Sequence, residues 1–146
     1  MLDRFDRDVG SANLSRLVIC CGVNDIFGSG LTLAQMQAAT LLVLAKATAL
    51  AIPVDLIPPP PQTSSRAGWT TGKRDVYKAY RNWLMQYANA TTGFGFIDSW
   101  AASAGSSSFI DPADANLNPI ANATFDNIHP SSIGAMLLTV RRSHRG

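Results

Sequence analysis

Apolar runs with strand character alternate with segments of helical periodicity along this chain, which predicts an α/β domain with a parallel sheet. Three observations carry that expectation. The run 17–21 is continuous, apolar and β-branched, and it stops at Gly22. The run 53–57 is a second short strand candidate, stopped by four consecutive prolines that cannot continue a ladder. Segments 32–50 and 73–90 repeat their apolar residues at helical spacing.

In order, residues 1–15 read as an irregular polar lead-in and 17–21 as a strand buried on both faces. Gly28-Ser29-Gly30 reads as a loop. Thr32 and Gln35 have the spacing of a capping box, so a helix is expected from there to about residue 50. The prolines at 58–61 suit a stiff loop, and 62–72 is polar. In 73–90, Val76, Tyr80, Trp83, Leu84 and Tyr87 share one face, as core aromatics rather than a base-stacking surface. Gly93 ends that helix, 94–97 is a third strand ending at Asp98, 99–124 is a long loop, and a last helix runs from Pro130 to about residue 142. Right-handed crossovers between parallel strands gather ligands beyond the C-terminal strand ends. Asn24, Asp98 and the loop bearing Asp126 and His129 are all expected at that rim.

A chain of 146 residues suits one domain with one core. With 47% hydrophobic and 15% charged residues it is globular, and a net charge of +2 gives no case for nucleic acid. Arginines crowd the end of the chain, and 143–146 reads as a solvated basic tail. Cys20 and Cys21 are adjacent and point to opposite strand faces, so they read as small core residues, not a disulfide. The acidic, polar start is unlike a signal peptide, and the apolar stretch 33–52 carries Gln35, Gln37 and Lys46, unlike a membrane span. The compartment stays open. The acids at 111 and 114 do not match calcium-loop offsets, and no metal or cofactor is expected.

His129 sits at a helix mouth, since Pro130 suits the first helical position. Asp126, about one turn earlier, can hold one imidazole nitrogen and leave the other as a base. A capped helix start with a surface histidine gives the same string. The Asn24 carboxamide can donate to an oxyanion.

Gly22-Val23-Asn24-Asp25 after an apolar strand resembles the G-x-N-D block of the SGNH/GDSL hydrolases. Asp126-Asn127-Ile128-His129-Pro130 resembles their D-x-x-H-P block. The resemblance covers about residues 16–142. It implies a flavodoxin-like three-layer α/β/α fold and hydrolysis of ester or acyl groups without a metal. It assigns Asn24 and Gly22 to the oxyanion hole, His129 to the general base, Asp126 to its partner and Asp25 to structural support.

One block of that family is missing. No Gly-Asp-Ser triplet exists in the sequence, so the nucleophile is unassigned and the fold is expected as a partial, N-terminally truncated domain with about three strands of five. Ser29 lacks the G-x-S-x-G spacing, Ser131 and Ser132 suit helix capping, Ser99 follows the third strand, and Cys21 points into the sheet. Without an activated nucleophile His129 has no proton to remove, so the chain alone is expected to be inactive. The absent strand would pair with 17–21, leaving an edge open to self-association. Two functions stay open: a hydrolase of carboxylic esters or acylated sugars and lipids whose serine lies elsewhere, or a non-catalytic carbohydrate- or partner-binding module. A nucleotide binder is disfavoured, since Gly28-Ser29-Gly30 has no phosphate-loop lysine.

Overall fold

The computed structural model describes residues 2–10, 14–59, 64–65 and 67–98. Helix α1 spans Leu2–Asp8, strand β1 Leu17–Cys20, helix α2 Val23–Phe27, helix α3 Leu33–Ala49, strand β2 Val54–Ile57, helix α4 Thr71–Ala90 and strand β3 Phe94–Phe96. The three strands form one parallel sheet in the order β1-β2-β3. The α/β parallel sheet therefore stands as expected. The loop 99–124, the helix from Pro130 and the tail 143–146 lie outside the described residues.

Both crossovers step in the same direction across the sheet, so equal handedness puts α3 and α4 over the same face. Beneath them lie Ile19, Val54 and Leu56, with Val54 and Leu56 fully buried. From the helices come Met36, Val43, Leu44, Tyr77, Tyr80 and Leu84, which complete one core. Each of these side chains stabilises the fold by about 1.5–3 kcal/mol on burial.

Local chemistry explains the helix starts. The Thr32 hydroxyl accepts from the Gln35 amide at 3.3 Å, and the Gln35 side chain accepts from the Thr32 amide at 2.9 Å, closing the expected capping box. The second long helix begins at Thr71 rather than near residue 73, because the Thr70 hydroxyl caps it by accepting from the Lys73 amide at 3.2 Å. Gly93 turns the chain at φ +84° into β3.

Four expectations need correction. The lead-in 1–15 contains a helix, α1, held to α3 by the buried Phe5 ring and by a Lys46–Asp6 ion pair. Its seven residues are too short to signal a helix by themselves, and packing stabilises it. Strand β1 is not buried on both faces. Ile19 faces the core, but Val18 is 45% exposed and Cys20 is exposed. Cys20 is thus not a core residue; both cysteines are free, and Cys21 is half-buried. The cause is position: among the described residues β1 is an edge strand and no helix lies over its second face. Finally, a short helix not expected from the sequence, α2, holds Asn24 and Asp25.

Candidate active site

Residue 22 turns the chain from β1 into α2. Its φ of +121° with ψ of −17° is backbone that side-chain-bearing residues rarely adopt. Space forbids a side chain there as well. A Cβ would lie 2.9 Å from Met36 Cε, 3.1 Å from Tyr80 Cε1 and 3.4 Å from Pro59 Cγ. Glycine is therefore required twice over, by torsion and by close packing. The turn places Asn24 in the first turn of α2, beyond the C-terminal end of β1. Its side chain is exposed, and its carboxamide has no partner among the described residues.

Helix α2 is short and is fixed from both ends. The Ile26 amide donates to the Gly22 carbonyl at 3.1 Å, and the Gly28 and Ser29 amides donate to the Asn24 carbonyl at 2.8 and 2.9 Å. Leu31 donates its amide to the Asp25 carbonyl at 2.9 Å, so the backbone of Asp25 anchors the following loop. The Lys73 ammonium donates to the Phe27 carbonyl at 3.3 Å, placing a cation at the C-terminal end of α2. Phe27 also meets Tyr77 edge-on, with ring centroids 5.6 Å apart.

A buried polar chain lies under the turn. Thr40 donates its hydroxyl proton to the Met36 carbonyl at 2.8 Å, so across its 2.8 Å contact with Tyr80 it is the acceptor. Tyr80 then donates to Thr40 and can accept from the Cys21 thiol, 3.6 Å away. Each hydroxyl has a single proton, which sets this direction. Burial raises the Tyr80 phenol well above its ordinary value, with Cys21 and Asp25 adding to the effect. Burial likewise raises the Cys21 thiol. Neither group is poised as a nucleophile near neutral pH.

Asp98, expected at the same rim, is engaged by Arg81. The guanidinium grips both carboxylate oxygens, with Nε donating to Oδ1 at 3.0 Å. His129 and Asp126, the base and its partner, lie outside the described residues, as do Ser99, Ser131 and Ser132. The residues packed under the Gly22 turn were not legible as site residues in the sequence. Met36 and Tyr80 read there as helical core positions and Pro59 as part of a stiff loop. Tyr80 shares its helical stripe with Trp83 and Tyr87, so no local signal singled it out.

The family model for the GDSL-like Lipase/Acylhydrolase family matches residues 1–137. The chain belongs to that family. No curated protein matches it. Among solved structures, a GDSL-like lipase from Bacteroides thetaiotaomicron is similar with a TM-score of 0.76 and 19% identity, over 94% of this chain and 64% of that one. A candidate lipolytic protein of the G-D-S-L family from Desulfitobacterium hafniense gives 0.68 and 23%, over 93% and 67%. A candidate acylhydrolase from Bacteroides fragilis gives 0.73 and 22%, over 94% and 63%. These likenesses show the shared fold. The GDSL-like chain described here spans about two thirds of the length of each. No helix among its described residues is long and apolar enough to cross a membrane.

Proposed function

We propose that this GDSL-family chain carries the oxyanion and base portion of a serine-type acyl-transfer site acting on a carboxylic ester or an acylated sugar or lipid. The observation that carries the reading is the turn at Gly22. A glycine locked by torsion and by packing starts a short helix whose exposed Asn24 carboxamide has no partner among the described residues. The turn fixes the backbone that presents Asn24, and a carboxamide with no competing partner is available to donate to developing negative charge.

In this reading a serine hydroxyl attacks the ester carbonyl and His129 accepts its proton. Asp126 holds the imidazole in the required tautomer. The Asn24 carboxamide and the Gly22 turn stabilise the tetrahedral oxyanion. Collapse expels the alcohol, which takes the proton back from His129, and water then releases the acid by the same route. Asp25 supports the turn through its backbone. The 146 residues contain no Gly-Asp-Ser triplet, so the attacking serine is assigned to a segment outside them.

The chain by itself is expected to give no burst of p-nitrophenol from p-nitrophenyl acetate. A burst that His129→Ala abolishes would show a nucleophile within the 146 residues. Fusing a strand-forming segment that ends in Gly-Asp-Ser should raise turnover, and Asn24→Ala should then lower kcat about a hundredfold. Unchanged turnover in that variant removes Asn24 from the oxyanion role.

A further inference from the structure

We infer that the outward face of α3 pairs with itself, joining two copies of this chain antiparallel about a two-fold axis. This pairing is independent of the acyl-transfer reading.

A surface helix ordinarily turns a polar face to water. Helix α3 does not. Its inward stripe, Met36, Thr40, Val43, Leu44 and Ala47, is buried. The opposite stripe is exposed and is apolar as well: Ala34, Ala38, Leu41, Leu42, Ala45 and Ala49. Leu42 is 55% exposed and Leu41 40%. Contiguous exposed apolar surface, unlike single scattered residues, marks an interaction site.

The order of residues identifies the occupant. The stripe is its own mirror image about a point between Leu41 and Leu42, the middle of the 17-residue helix. Ala38 mirrors Ala45, and Ala34 mirrors Ala49. At the flanks, the exposed and uncharged Gln35 and Thr48 mirror one another too. A two-fold interface requires one patch that complements itself. With the axis at the mirror point, Leu41 and Leu42 each meet their own copies. Ala38 then meets Ala45 of the second copy, and Ala34 meets its Ala49. Alanines on both sides let the helix axes approach to about 8 Å, while the leucines fill the centre.

Charge points the same way. The stripe carries none, and the single ionic side chain of α3, Lys46, is engaged by Asp6 of α1. Nothing on this face repels a second copy. A helix that lies on a lipid surface carries Lys or Arg beside its apolar face, whereas the flanks here are Gln35 and Thr48. The strip is about 25 Å long and about 10 Å wide, a footprint of about 250 Å² per copy. Two such footprints fall well short of the roughly 1,200 Å² of stable complexes. The pairing is therefore weak, with Kd on the order of 0.1 mM.

Sedimentation velocity of the full chain, from about 10 μM to about 1 mM, brackets that constant. Expected is a shift from monomer to dimer across the range. Leu42→Glu and Leu42→Lys each set like charges together at the axis and should weaken association about tenfold or more. Both lie at an exposed helical position, so the circular dichroism spectrum should not change. An equimolar mixture of the two variants should associate again, because unlike charges then meet. Ala38→Glu and Ala45→Lys should each weaken the dimer, and the double variant should recover it, since the antiparallel register sets each against the other.

A chain that stays monomeric at the highest concentration overturns the inference. So does a Leu42→Glu variant that dimerises like the parent, which would move the contact to another surface. A mixture that associates no better than its components, or a double variant weaker than both singles, overturns the two-fold register. A monomer that floats with phosphatidylcholine vesicles, and loses them on Leu42→Glu, would assign the face to lipid instead.

Discussion

Gly22→Ala tests the turn on which the candidate site depends. A residue forced to φ +121° and ψ −17° carries roughly 1–3 kcal/mol of backbone strain. The added methyl meets Met36 Cε at 2.9 Å and Tyr80 Cε1 at 3.1 Å. Met36 is the end of a flexible side chain and can yield. Tyr80 is 1% exposed and tied to Thr40, so it yields poorly. Overpacking of this kind costs roughly 1–3 kcal/mol. Alanine stiffens the unfolded chain, which offsets about 0.4–1 kcal/mol. The net loss is about 1–6 kcal/mol, a large share of the roughly 5–15 kcal/mol of a typical domain. Urea denaturation followed by circular dichroism measures it, read from the midpoint at unchanged slope. Gly30→Ala is the control. It has φ +66° and nothing within 4 Å of its Cβ, so it should lose about 1 kcal/mol or less. Equal losses for the two variants would refute the packing argument. Hydrogen exchange at the Ile26 amide, which donates to Gly22, should speed up only in the first variant.

The buried Tyr80 and Cys21 make stability fall in alkali. Their folded values are raised, so the folded state keeps protons that the unfolded chain releases above the ordinary 10.0 and 9.0. Stability is complete below that range and declines as pH climbs through it, by up to about 1.4 kcal/mol per pH unit for the phenol. Tyr80→Phe should lose about 1 kcal/mol at neutral pH and flatten the decline above about pH 10; parallel declines would refute the role of the phenol. Gly95→Ala places a Cβ against Asp55 Oδ1, which Arg16 holds at 2.7 Å, and should cost about 1–3 kcal/mol. In an Asp55→Ala background that cost should shrink by about 1 kcal/mol or more, and strict additivity in the denaturation midpoints would sink the crowding argument.

Features that depend on residues three or four apart were legible in the chain. The Thr32–Gln35 capping box and the apolar stripe of α4 are local, and both appear as read. The strand starting at Leu17 and the one ending at Ile57 were legible from apolar runs bounded by glycine and proline. Helix α1 was not, because its stability comes from Phe5 entering a core assembled by distant segments. The depth of Pro58 and Pro59 was hidden too. A proline run reads as an exposed stop, yet both are fully buried, and Pro59 lies under the Gly22 turn.

By itself, the order of residues determined a parallel α/β architecture, its strand and helix periods, and the family blocks at Gly22–Asp25 and Asp126–Pro130. Those are matters of short-range spacing, which the backbone reads through its own hydrogen bonds. Three dimensions decided that Gly22 must be bare, that Tyr80 underlies it 58 positions later in the numbering, and that β1 has a strand partner on one side only among the described residues. Such facts arise from which surfaces meet when crossovers bring remote segments into one core, and no local period encodes that meeting.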